Sequence, residues 1–231
     1  MEKDWRLIID AALEPEMNMA VDEAIMLMMA DGLSTPTLRI YRWLEPCVSL
    51  GRLQRAEDVI PAGTRVGVVR RPTGGGLVSH GEEGLTYSLI YRESSGCVDR
   101  GVAASYLQVH EAVVSALVSL GARAYVYRPP LAPDKPSGAC FESPVASDVM
   151  ADGRKVAGAA QRRRKDVVLH QGEVSLCLDV LKKWSYNVIQ TAFINSLSER
   201  LNARFIESRI SEKEKRLAGE LFVERTEEVN R

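Results

Sequence analysis

Histidine is scarce in this chain and cysteine is scattered: there are three histidines and four cysteines, with no Cys-x-x-Cys pair. A zinc site needs nitrogen and sulfur ligands at close, regular spacing, so no metal site is expected. Cys47, Cys97, Cys140 and Cys177 stand far apart. A chain of 231 residues can bury a sizeable core without disulfides, so free thiols in a reducing, cytoplasmic compartment are expected. Neither sign of charge dominates. The balance of 30 basic and 31 acidic residues argues against a global nucleic-acid binder and leaves room for local patches. No stretch approaches the roughly 20 apolar residues of a membrane span, and MEKDWRLIID lacks the apolar core of a signal peptide. Repeats, low-complexity segments and linkers are also missing. Residues 1–231 therefore read as one domain with a helical C-terminal tail from about 180.

What is present centres on Val68–Tyr91, VVRRPTGGGLVSHGEEGLTYSLIY. Its flanks, Val66–Val69 and Thr86–Tyr91, carry the β-branched and aromatic residues of strands. Between them stand Arg70, Arg71, Thr73 and the run Gly74-Gly75-Gly76. Three glycines remove every Cβ, so a ligand can lie against bare backbone and N–H groups can point at an anion. Arginine adds permanent charge and paired hydrogen bonds. A flexible hairpin loop with solvated arginines explains the local pattern as well. No Gly-Lys-Ser/Thr follows, and the spacing is not that of a dinucleotide fingerprint.

Other elements follow from periodicity. Trp5–Ile9 reads as a strand, Pro15 as a break, and Asn18 as the cap of a helix through Met29. The methionines at 17, 19, 26, 28 and 29 suit core packing, or else a flexible acyl chain. Thr37–Trp43 and Val48–Leu50 read as strands. Residues 101–120 form the clearest helix, stopped by Gly121, with His110 as a packed or half-exposed helix residue and not a ligand. Ala122–Tyr127 is a strand and Arg128–Gly138, with four prolines, a loop. Asp152-Gly153 turns a hairpin between Asp148–Met150 and Arg154–Ala157. Arg162–Lys165 reads as a solvated loop, or as a docking patch for an acidic partner. Val167–Leu169 and Glu173–Leu176 read as a strand pair around His170. Beyond Leu178 the pattern is helical. Ser211–Glu214 forms a capping box for a helix toward Val223, and Glu224–Arg231 is expected to fray.

Chemical candidates are few. Cys140 sits in a loop, where a thiol is better placed to react than inside an apolar strand; it could equally be a small hydrophobe. Lys155 points from a strand between apolar neighbours, toward solvent or into a cleft. His80 and His170 lie near glycines and are expected at a cleft rim.

RRPTGGGLVSH with LTYS, followed by DGRKVAGAAQ, resembles the lipoate-protein ligase and octanoyltransferase family. Asn18–Glu23 and Gly51-Arg52-Leu53-Gln54 are similar to further family segments, and the likeness runs from about Met17 to Leu176. The resemblance implies an α+β catalytic domain, a mixed and mostly antiparallel sheet flanked by helices. It implies two competing chemistries. Ligases activate a free acid with ATP and magnesium; octanoyltransferases take the acyl chain from acyl carrier protein through a cysteine thioester and need no cofactor. Both deliver to a lysine of a lipoyl domain, or of the glycine-cleavage H protein, with a monomer expected and neither nucleic acid nor membrane involved. Cys140 in ACFESP, the HGEEGLTYS spelling and the short stretch after the catalytic region favour the transferase; Gly74-Gly75-Gly76 is the ligase-like spelling. The resemblance makes Cys140 the nucleophile and Lys155 its cationic partner. It places Arg70, Arg71, Thr73, Gly74, Gly75, Gly76, His80, Gly158, Ala159, Gln161 and His170 around the substrate.

Overall fold

The computed structural model describes residues 3–60, 63, 65–129 and 144–229. In chain order the elements are β1 (Lys3–Leu13), α1 (Pro15–Ala30), β2 (Thr37–Trp43), β3 (Cys47–Leu50), the single turn α2 (Ala56–Val59), β4 (Gly67–Arg70), β5 (Val78–His80), β6 (Gly84–Arg92), α3 (Val102–Ser119), β7 (Ala124–Val126), β8 (Val149–Ala151), β9 (Arg154–Arg164), β10 (Val167–Ser175), α4 (Tyr186–Leu201), β11 (Ala203–Glu207) and α5 (Glu212–Val229). Eight strands form one sheet in the order β11-β1-β2-β6-β10-β9-β8-β7, and β4-β3-β5 form a second. In the large sheet β1 runs parallel to β2 and β11; every other neighbouring pair is antiparallel. The mixed, mostly antiparallel α+β arrangement matches the expectation.

Alternation along β10 sorts the two faces. Val168 and Val174 pack into a core with residues of α3 and α4, among them Val109, Val113, Phe193 and Leu197. Val167 and Leu169 face the other way, onto Ala20, Ala24 and Ile25 of α1 and Ala218 of α5. Of the α1 methionines, 19, 26, 28 and 29 are buried, which is their packing role. Helix α3 is long and apolar enough to cross a membrane by length and composition. Here its apolar face covers the sheet.

Several expectations change. Pro15 opens α1 instead of breaking the pattern: the first helical turn needs no N–H from it. Asn18 is inside the helix and caps nothing; its amide donates to the carbonyls of Leu13 and Arg42. The flanks of the glycine stretch do not pair with each other. β4 joins the small sheet and β6 the large one. Strand β9 continues to Arg164, so Arg162 and Arg163 are strand residues, and only Lys165, at φ 54°, turns the chain. β10 is one strand, not two around His170, because His170, Gln171 and Gly172 all pair with both neighbours. Residues 203–207 form a strand that the helical reading of the tail overlooks, and α5 carries on through 229. The Ser211–Glu214 capping box is present, with the Ser211 N–H donating to Glu214 at 2.8 Å and the Glu214 N–H to Ser211 at 3.3 Å. The Asp152-Gly153 hairpin is present too, both residues having positive φ.

Gly172 is fixed by packing. A Cβ there would lie 2.3 Å from the Tyr87 ring, which is itself fully buried against Phe193. Overpacking a rigid aromatic costs about 1–3 kcal/mol. Gly172→Ala is expected to lower Tm by several degrees in a thermal melt.

Candidate active site

The side chains that converge do so between the two sheets. A crevice there is lined by Tyr41, Trp43, Thr86, Gln171 and Glu173, by Gly158, Ala159 and Ala160 of β9, and by Arg71 and His80 of the small-sheet side. It measures about 30 Å³, the share of one water molecule in the liquid. Its walls must part to admit an acyl chain.

Glycine builds one wall. Gly158 faces the crevice, and a Cβ there would sit 2.7 Å from Lys155 Cε and 2.9 Å from Nζ. The ammonium therefore lies along bare backbone. It pairs with Asp148 at 2.8 Å, both side chains being buried. Asp148 also accepts from the Val145 N–H at 2.7 Å. Behind it, His110 on α3 donates through Nδ1 to the carbonyl of Ser147, which holds positive φ. Burial lowers the His110 pKa, and its hydrogen bond to Ser147 opposes that shift. A neutral imidazole with Nδ1–H is the form that donates here. Gly158→Ala is expected to push the Lys155 tip aside. Because that tip is buried and paired with Asp148, whose Oδ1 would lie 3.3 Å from the new Cβ, the melting temperature should fall as well, while turnover should fall by about 10²-fold, the cost of a misplaced charge.

The glycine loop is held from both sides. Gly75 has φ 85°, and a Cβ there would lie 3.4 Å from Ala160 Cβ, while a Cβ on Gly51 would meet the Gly75 carbonyl at 2.0 Å. Arg71 donates to the carbonyls of Gly74 and Gly76 at 2.8 and 2.7 Å. Arg70 donates to the carbonyls of Gly51 at 3.2 Å and Gln54 at 2.5 Å. Thr73 donates to Gln171, whose amide donates to Asp22 of α1 at 2.7 Å. Asp22 also accepts from Ser88 and pairs with the fully buried Arg39, which reaches Asp10 and Asn18 as well. Burial alone would lower the Arg39 pKa, but the carboxylates of Asp22 and Asp10 raise it. The first-helix motif thus secures the loop from beneath.

A directed hydrogen-bond chain crosses the crevice. Trp43 donates to Thr86 at 2.8 Å and Thr86 to Glu173 at 2.6 Å. His80 stacks on Trp43 and donates through Nδ1 to the same Glu173 oxygen at 3.2 Å. Its Nε2 faces Ser49 Oγ at 2.6 Å. Arg71 donates to that oxygen at 2.7 Å, leaving the hydroxyl proton for His80. The chain holds His80 in one tautomer and orientation.

Of the residues named from sequence, Lys155, Arg71, Thr73, Gly75, His80, Gly158 and Ala159 meet at or against this crevice. Gly74 and Gly76 complete the loop, and Arg70 faces a neighbouring crevice. His170 is not at a rim: it is fully buried on the α3 side of β10, bonded to Gln161 and close to Tyr106 and His110. Gln161 shares that side, bonded to Ser105. Strand alternation turns both away from the crevice. Cys140 lies outside the described residues. Burial drives the Cys47 thiol up to about 12, and Cys97 is buried, so neither is a nucleophile. Sequence reading overlooked Ser49, Asp22, Gln171 and Glu173. The polar residues at 171 and 173 inside a strand of valine and leucine were the available signal.

A family model described as the lipoyl protein ligase A/B catalytic domain matches residues 14–214. Octanoyltransferase LipM of Moorella thermoacetica is 38% identical over 181 residues, which cover 76% of this chain and 66% of that protein. The chain thus spans just under two thirds of that relative. Octanoyltransferase LipM of Clostridioides difficile is 30% identical, with 98% of both chains covered. Among solved structures, a protein described as a lipoate protein ligase from T. acidophilum has a TM-score of 0.78 at 30% identity, covering 97% of this chain and 95% of that one. Lipoate-protein ligase A bound with ATP gives 0.76 at 29%, covering 96% and 95%.

Proposed function

Since this chain belongs to the lipoyl protein ligase A/B catalytic domain family, we propose that it moves an octanoyl group from acyl carrier protein to a lysine amine of a lipoyl domain or of the glycine-cleavage H protein. The observation that carries the reading is the Lys155 ammonium, buried against the bare backbone of Gly158 in the wall of the crevice. The names of the LipM relatives support octanoyl as the group moved.

In the first half-reaction the Cys140 thiolate attacks the thioester carbonyl. The bond to the carrier sulfur breaks, and the carrier leaves as a thiol after taking a proton. A thioester is exchanged for a thioester, so the step is close to thermoneutral. In the second, a neutral lysine amine attacks the acyl-cysteine. The C–N bond forms, the C–S bond breaks, and the amine proton ends on the Cys140 thiol. Amide formation drives the sequence forward. In both, negative charge collects on the carbonyl oxygen, and a fixed ammonium in a dry site stabilises it. Arg71 and Thr73 keep the glycine loop in shape while the chain lies against it.

The test is mass spectrometry of the protein mixed with octanoyl-acyl carrier protein. The expected result is an octanoyl adduct on Cys140, absent from Cys140→Ala. Lipoyl-domain modification that needs ATP and survives Cys140→Ala would overturn the reading in favour of a ligase, the activity named for the ATP-bound neighbour.

A further inference from the structure

A second opening of about 270 Å³, which shares Arg71 with the acyl crevice, lies between the glycine loop, α1, β9 and α5. Five arginines line it, Arg52, Arg70, Arg71, Arg162 and Arg225, against two carboxylates, Glu23 and Glu224. The excess of three positive charges is concentrated in a protein whose net charge is -1. Composition alone does not produce that.

The charges are held in place. Glu23 accepts from both Arg162 and Arg225. Burial pushes its carboxyl up, but the two guanidiniums outweigh that and hold it below the usual range. One carboxylate thus orients two guanidiniums and neutralises one. Arg225 also donates to the carbonyl of Arg70 at 3.0 Å, tying α5 to the rim. Arg70 spends its hydrogen bonds on carbonyls, which position it without cancelling its charge. Arg52 makes no ion pair among the described residues. Pre-oriented guanidiniums with uncancelled charge in a concave site match a phosphate oxyanion better than any neutral group.

The other opening beside the acyl crevice has the opposite character. It shares His80 and Glu173 with the crevice and is lined further by Glu82 and Glu83. It would repel a phosphate and attract the cationic lysine of an approaching lipoyl domain, which must give up its proton before it attacks. The two flanks therefore sort the two substrates by charge.

We propose that the arginine crevice holds the phosphodiester of the carrier's phosphopantetheine arm, so that the thioester at the end of the arm reaches the acyl crevice past Arg71. This rests on the transferase reading above, in which the donor thioester is borne on that arm.

The experiment compares octanoyl-pantetheine with octanoyl-4′-phosphopantetheine as donors for lipoyl-domain modification, using the full chain. The expected result is a kcat/KM about tenfold higher for the phosphorylated donor, the size of a charge-assisted contact. In Arg52→Gln that preference should shrink toward unity, and Arg52→Lys should restore part of it. Equal use of both donors by the unaltered protein, or a preference that Arg52→Gln leaves intact, would overturn the inference while leaving the transferase reading standing. No transfer from either thioester, with turnover only from free octanoate and ATP, would overturn the transferase reading itself and assign the arginines to a nucleotide.

Discussion

Lys155→Met is expected to lower acyl transfer by about 10²–10³-fold, the usual cost of removing one fixed donor at a developing oxyanion. The same change should also destabilise the protein. Asp148 would lose its partner in a site where its side chain is only 5% exposed, and breaking a buried pair by removing one partner costs about 3–5 kcal/mol. The two effects can be separated. Lys155→Met with Asp148→Asn removes both charges, so its Tm should recover much of the loss while its turnover stays low. If the double variant regained activity along with its melting temperature, Lys155 would be a structural ion pair and nothing more.

Arg39→Met should give a large loss of stability, with no group touching substrate removed. Arg39 is fully buried and bonded to Asp10, Asp22 and Asn18. Without it Asp22 faces a dry interior with, among the described residues, only Tyr41, Ser88 and Gln171 as donors. A penalty of about 3–5 kcal/mol is a large part of the 5–15 kcal/mol that separates a typical native domain from its unfolded chain. Urea unfolding should show a midpoint moved far down with the slope kept. Because Asp22 holds Gln171, which holds Thr73, the glycine loop should lose order in amide exchange before the rest of the molecule. A midpoint within experimental error of the parent's would mean that the network can be dispensed with.

Much of this was legible before any coordinates. The apolar residues of Thr37–Trp43 and the spacing in 101–120 each predict the element that forms, a strand that is buried on both faces over residues 37–41 and a helix with one buried face. The Asp152-Gly153 turn carries its own backbone chemistry. The glycine loop and Lys155 are legible as a candidate site because glycine runs and a lysine between apolar neighbours are odd choices for plain packing. What stayed hidden was relational. His170 looked like a rim residue because it adjoins Gly172, yet only the strand pairing reveals which side of the sheet it faces. His110 supports Ser147 from 37 residues away, and Gly51 is obligatory because of Gly75. Neither dependency leaves a local trace. Strand β11 was overlooked because ARFIE is short and sits between helices, and its partner is the other end of the chain.

That last pairing bears on synthesis. Residues 3–7 hydrogen-bond to residues 203–207, and Arg6 pairs with Glu214 on α5. While the chain emerges from the ribosome, β1 must wait for residues 203–207 before one of its edges is covered. An open edge invites pairing with other nascent chains. The charged residues at positions 3, 4 and 6, Lys3, Asp4 and Arg6, are well placed to discourage such encounters until the last strand arrives.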